Sequence, residues 1–280
     1  VKTSENFPVA SLLIRRDLRE DVRCFYAFAR SADDIADAPG LSPAERLEKL
    51  DLCEAGLRGR DTGTPEARAL HRTLSRKSPA LLDHARALLT AFRQDSRGHE
   101  YATDEDLLAY CRHSADPVGR FLLDLHGEDA SCLAPSDALC TTLQILNHLQ
   151  DICDDKTRLD RVYLPADRLM AEGVEPRDLT AARSTAGLRR VIDGLLDLCD
   201  KLLEQAAPLP DRITARGLAG EAASILWLAN NLSRRLRRED PLAGRVAPTP
   251  LAFLRAALVG AGHALSPARR SHLGPELRGQ

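Results

Sequence analysis

Residues Gln144–Asp155 read QILNHLQDICDD. At about 100° per residue, Gln144, Asn147, Asp151 and Asp155 fall in one narrow stripe along a helix, while Ile145, Leu146, Leu149, Ile152 and Cys153 cover most of the remaining circumference. A solvated stripe in this chain is expected to mix Arg with Glu, as its other helices do. This one holds two amides and two carboxylates, with no cation in the stripe. Like charges one turn apart cost a helix roughly 0.2–0.5 kcal/mol, so Asp151 and Asp155 together ask for a positive partner. A hard divalent cation bound through carboxylate oxygens is the simplest one.

Outward from this stretch, helix signals recur and strand signals are nearly absent. Leu18–Asp37 reads as a helix stopped by Pro39-Gly40, and Ser42-Pro43-Ala44-Glu45 is a capping box that opens a second helix to about Leu57. Thr64-Pro65 and Ser78-Pro79 repeat the cap-plus-proline start, and Thr103 with Asp106 starts another helix that Asp116-Pro117 should kink or interrupt. Pro135-Ser136-Asp137 opens the helix of the central stripe. Arg161–Pro165 is a non-helical connection, followed by a short helix to about Glu172. Long amphipathic segments run over 184–207 and 211–239, and a last helix lies between Thr249-Pro250 and Ser266-Pro267. No alternating run supports a sheet. The expectation is one all-α domain over residues 1–266 with a tail over 267–280.

Composition narrows the function classes. The 280 residues hold 39 basic and 41 acidic side chains, a balance that argues against a nucleic-acid binder. Seven Cys, odd in number and never spaced as CxxC, point to free thiols in a reducing compartment over disulfides or a zinc site. Neither a signal peptide nor an apolar run of 18 residues is found, and the expected location is cytoplasmic.

The helix ending at Asp37 carries a second stripe of the same kind: Tyr26, Arg30, Asp33 and Asp37 lie at i, i+4, i+7 and i+11, with Asp34 one position aside. One acidic pair on a helix is an ordinary solvated face. Two pairs, each backed by polar residues in the same stripe, are better suited to facing each other across a cavity and holding Mg²⁺, which keeps several waters and takes phosphate oxygens as its remaining ligands. Such ions stabilise charge on a departing oxygen, which points to ionisation of an organic diphosphate.

The blocks YAFARSADDIAD (Tyr26–Asp37), YCRHSADPVG (Tyr110–Gly119), LQILNHLQDICDD (Leu143–Asp155) and RVYLP (Arg161–Pro165), in that order, resemble the squalene/phytoene synthases over most of residues 6–245. NFPVAS (Asn6–Ser11) and the NHLQD run are most similar to the hydroxysqualene-forming members of bacterial hopanoid pathways. The resemblance implies a single-domain isoprenoid-synthase helical bundle with a central cavity. It also implies a diphosphate-releasing enzyme that ionises presqualene diphosphate and adds water to the rearranged cation. Synthases that condense two prenyl diphosphates head to head, giving presqualene diphosphate, dehydrosqualene or phytoene, are the alternative within the family. A catalytically silent prenyl-lipid-binding protein is the alternative outside it.

By the same resemblance, Asp33, Asp37, Asp151 and Asp155 bind a Mg²⁺ cluster shared with the diphosphate, and Arg30, Arg161, Tyr163 and Arg245 bind the substrate's diphosphate end. Tyr26, Tyr110, Gln144 and Asn147 stand beside the reacting carbons. No NADPH is expected. The partners implied are a prenyl diphosphate, a peripheral contact with the inner membrane face, and transient contact with other enzymes of the squalene pathway. The family commonly has Arg where this chain has Gln150, and a small-residue VAG segment where it has Ser114-Ala115-Asp116; both departures fit water capture better than condensation or reduction. Asp116 is open to two readings, orientation of a water or a helix kink beside Pro117. His148, about 40° from the stripe, is equally open to a site role or a packing one. The Arg234–Arg238 run reads first as a solvated face and second as a membrane contact, and Trp227 as core.

Overall fold

Local chemistry sets most helix starts. In the computed structural model, which describes residues 15–265, the elements are α1 (Arg19–Ala36), α2 (Pro43–Leu57), α3 (Pro65–Leu74), α4 (Leu81–Arg97), α5 (Asp104–Ser114), α6 (Asp116–His126), α7 (Leu133–Gln150), α8 (Ile152–Asp154), α9 (Ala166–Ala171), α10 (Ala186–Ala206), α11 (Leu209–Arg212), α12 (Arg216–Leu236) and α13 (Pro250–Leu265). No strand occurs among the described residues. The Asn6–Ser11 motif and the 267–280 tail lie outside them.

Both capping boxes form. Ser42 Oγ accepts the Glu45 N–H while the Glu45 carboxylate accepts the Ser42 N–H, and Thr103 and Asp106 do the same at α5; caps of this type contribute roughly 1 kcal/mol each. The chain breaks at Ala115, just before Asp116-Pro117, and restarts as α6.

Three sequence expectations are corrected. Ser78-Pro79 does not start α4: the Ser78 and Pro79 carbonyls accept the N–H groups of Leu81 and Leu82 in a preceding turn, and the helix begins at Leu81. The segment 211–239 is not one helix, because its chain is extended at Ile213. There the Glu128 carboxylate accepts the N–H groups of Thr214 (2.6 Å) and Ala215 (2.8 Å), capping α12 from another part of the chain. Finally, the central helix stops at Gln150. Asp151 leaves helical geometry at φ −106°, ψ 12°, and a wider, π-helical turn follows over Asp155–Leu159. The Thr157 hydroxyl donates to the Cys153 carbonyl at 2.7 Å, offering the backbone a local alternative to regular helix bonding.

Two apolar clusters divide the bundle. The first joins α1–α4, with Phe28, Leu50, Leu57, Leu70 and Leu74 fully buried and Phe25 stacked on Phe121 of α6 at 3.9 Å. The second joins α5, α7, α10 and α12 through residues such as Leu146, Leu149, Ile192 and Leu232. Each such side chain stabilises the fold by roughly 1.5–3 kcal/mol. The first acidic stripe hangs from the first cluster and the second stripe from the second, so the packing of the two decides how the carboxylates meet. Trp227 is half-buried against Leu228, Ala252 and Ala256. Within the arginine run, Arg235 pairs with Glu239 and Arg237 with Asp197 and Asp200, while Arg234 and Arg238 are exposed.

Candidate active site

Arg161 brings the two acidic stripes together. Its guanidinium bonds Asp37 Oδ1 at 2.5 Å and the Ala36 carbonyl at 2.8 Å, while its backbone N–H is donated to the Asp155 carbonyl at 3.1 Å. The chain reaches this position by turning at Asp160, which takes the left-handed conformation at φ 51°, ψ 41°. Among described residues no other non-glycine does so; Asp tolerates it better than most residue types. Arg161 is thus a buried strap between the motifs, with its charge directed at Asp37.

Behind the strap lies a buried carboxylate that the sequence reading missed. Asp95, on α4, accepts the Tyr163 hydroxyl at 2.8 Å and the Tyr110 hydroxyl at 3.0 Å. Burial raises its pKa, opposed by the nearby Arg161 cation and the two hydroxyls. Tyr101, also missed, packs against both tyrosines, with ring centroids 5.2 Å from Tyr110 and 5.7 Å from Tyr163. Burial raises the pKa of all three tyrosines, so they stay neutral phenols. A signal for Asp95 was present: with Ala85, Leu88 and Phe92 it continues the apolar stripe of α4, where a carboxylate is out of place.

His148 joins the same group. It stacks on Tyr163 at 3.8 Å and 15°. The Gln144 amide nitrogen lies 3.1 Å from its Nε2, and the Nδ1 of the same ring lies 3.8 Å from Asp155 Oδ2. A small cleft opens here, lined by His148, Ile152, Asp155, Arg161, Tyr163 and Leu179.

The remaining expected residues frame this group. Asn147 is exposed and Gln144, Asp151 and Asp155 are half-buried, so the α7 stripe opens on accessible space. Arg30 is exposed and pairs within its own helix with Asp33 (3.2 Å) and Asp34 (2.9 Å). Tyr26 is half-buried one turn earlier, apart from the tyrosine cluster. Arg245 lies close enough to Asp151 to draw its pKa down, so the second stripe does have a cation nearby, supplied from a distant part of the chain. Gln150, buried, donates to the Val246 carbonyl and ties down the segment that carries Arg245.

The electrostatics fit a cation. Asp33 is pushed up to about 7 by burial and then by Asp37, although the carboxylate keeps 39% of its side-chain surface exposed, so water screens much of the associated energy. Asp151 is raised by burial and then by Asp155. All the donors are carboxylate oxygens, the ligands of a hard ion. Among described residues no group of three or more His, Cys, Asp or Glu side chains is placed to hold a metal ion by itself.

Residues 1–252 match the squalene/phytoene synthase family. The chain belongs to that family. Hydroxysqualene synthases from Rhodopseudomonas palustris and Sinorhizobium fredii are 44% and 40% identical to this family member, covering 89% and 98% of it and 85% and 92% of their own lengths. A phytoene synthase from Rhodobacter capsulatus is 33% identical over 73% of the chain and 61% of its own length. The crystal structure of a squalene synthase from Alicyclobacillus acidocaldarius superposes with a TM-score of 0.70 at 34% identity, covering 82% of this squalene/phytoene synthase and 87% of the other.

Proposed function

We propose that this family member is a hydroxysqualene synthase: presqualene diphosphate and water give hydroxysqualene, diphosphate and a proton. The observation that carries a diphosphate-ionising site is the joining of both acidic stripes through Arg161. The higher identity to hydroxysqualene synthases than to a phytoene synthase selects this product within the family.

In this reading Asp33, Asp37, Asp151 and Asp155 hold Mg²⁺, which when bound supplies Lewis-acid stabilisation of the leaving diphosphate. Arg245 adds a cation beside Asp151, and Arg30 a second at the rim. Arg161 fixes the spacing of the two stripes. Asp95 holds the hydroxyls of Tyr110 and Tyr163, so the buried ring cluster is a fixed wall behind the reacting end. Being neutral phenols, these tyrosines do not remove a proton from the substrate cation. Gln144 and Asn147 border the reacting end, and Gln144 holds the His148 ring in place. The overall change is redox-neutral and calls for no NADPH.

The test is product analysis by mass spectrometry, using the purified full chain, Mg²⁺ and presqualene diphosphate in heavy-oxygen water. Hydroxysqualene carrying solvent oxygen is expected, unchanged by NADPH and lost with EDTA. Asp33→Asn and Asp151→Asn should each lower turnover by about 100-fold or more. Squalene formed only with NADPH would refute the water-capture step, and binding without turnover would refute the enzyme reading.

A further inference from the structure

Helix α13 reads PLAFLRAALVGAGHAL and has two unlike faces. One packs tightly on α12 through small residues. Ala252, Ala256 and Gly260 are buried, Ser224 Oγ donates to the Ala256 carbonyl at 2.9 Å, and a Cβ placed on Gly220 would lie 2.6 Å from the Gly260 carbonyl oxygen. The other face holds Leu251, Leu254, Leu258 and Leu265, exposed by 55, 58, 65 and 79%. Their spacing places them in one line about 21 Å long, from 1.5 Å of rise per residue. Six of the nine exposed large hydrophobic residues among those described belong to this helix, a concentration that single scattered leucines do not produce.

Charge identifies what suits this face. Residues 250–280 contain four arginines (255, 269, 270 and 278) and one acid, Glu276, in a chain whose net charge is −2. Arg255 stands on α13 itself, exposed, and the helix has no acidic residue. A second copy would set basic helix against basic helix. A single helix face of this length would also bury on the order of 800 Å² over both partners, short of the roughly 1,200 Å² at which stable interfaces begin. An apolar stripe carrying Arg255, on a stretch of sequence with an excess of arginine, matches instead a helix lying in the plane of an anionic lipid surface. We propose that α13 docks the protein on an anionic membrane with its leucine line facing the acyl chains. This places the contact on α13 and not on the Arg234–Arg238 run, and it is independent of the reaction assigned above.

The experiment is flotation of the full-length chain with phosphatidylcholine vesicles, with or without phosphatidylglycerol. Wild type should bind the anionic vesicles about tenfold or more above the neutral ones, with binding weakened by salt. L254S/L258S and R255E should each lose that binding by about tenfold, with wild-type melting curves and undiminished turnover of detergent-dispersed substrate. Wild type that ignores anionic vesicles overturns the proposal, as does equal binding by the variants. So does a wild-type dimer, seen by light scattering, that L254S/L258S converts to monomer while vesicle binding stays unchanged.

Discussion

Replacing Asp95 tests whether the tyrosine cluster is organised by one carboxylate. Asp95→Ala removes the acceptor of two hydroxyls, at 2.8 and 3.0 Å. A hydrogen bond to a charged group contributes about 1.5–3 kcal/mol, but the substitution also relieves a carboxylate whose burial is unfavourable. A net loss of about 3 kcal/mol follows. At roughly 2 °C per kcal/mol for a chain of this size, the melting temperature should fall by about 6 °C. Asp95→Asn keeps the volume and one carbonyl acceptor, and the phenol oxygens can accept from its amide, so a fall of about 2 °C is expected. Loosened rings misplace the reacting end, and a 1 Å displacement costs up to about 100-fold in rate. Alanine should therefore approach that loss in diphosphate release, with asparagine recovering most of it. Circular dichroism melts and a pyrophosphate-release assay provide both readouts. An alanine variant that melts within about 1 °C of wild type and releases diphosphate normally would refute the role given to Asp95.

Two further predictions concern buried polar groups. Asp116 is pushed up to about 7 by burial and then by Asp137, and accepts the Thr141 hydroxyl at 2.9 Å. Because its folded pKa is raised, its contribution to stability is fully present below about 4 and lost as pH rises through 7, up to roughly 4 kcal/mol. Asp116→Asn can keep the Thr141 bond, so urea unfolding should show it gaining about 2–4 kcal/mol on wild type between pH 4 and 8; parallel pH curves would sink the idea. Gln150→Leu frees the Val246 carbonyl beside Arg245 and should raise KM about 5- to 20-fold, with kcat changed by less than about threefold. Steady-state kinetics decide this, and an unchanged KM would mean that the clasp does not position Arg245.

Helix identity was legible in the sequence wherever a local device sets it: the Ser42 and Thr103 boxes and the break before Asp116-Pro117. The cap of α12 was not, because it comes from Glu128 more than eighty residues earlier. The partners of Asp95 were not legible either: its place in the apolar stripe of α4 marks it as buried but gives no hint of the two tyrosines that reach it from α5 and from the 161–165 connection. The end of α7 was misjudged because period counting carries a helix through any residue compatible with it, and neither the tie from Gln150 to Val246 nor the turn at Asp160 leaves a periodic trace. Arg245 was placed at the diphosphate end by family resemblance alone, since its approach to Asp151 spans 94 positions and leaves no local trace. Long-range polar contacts were what single-sequence reading lacked.

The Arg161–Asp37 contact joins positions 124 residues apart. Closing a loop of that length costs about 4 kcal/mol of chain entropy in the simple polymer estimate, which one partly exposed ion pair does not repay. The acidic stripes can therefore face each other only after the helices between them have packed, so competence for chemistry is among the last properties a refolding chain acquires. The same contact makes spacing unforgiving locally and lenient elsewhere. Extra residues in the α2–α3 or α9–α10 connections leave it untouched, whereas one residue added between Asp155 and Arg161 would swing the guanidinium away from Asp37.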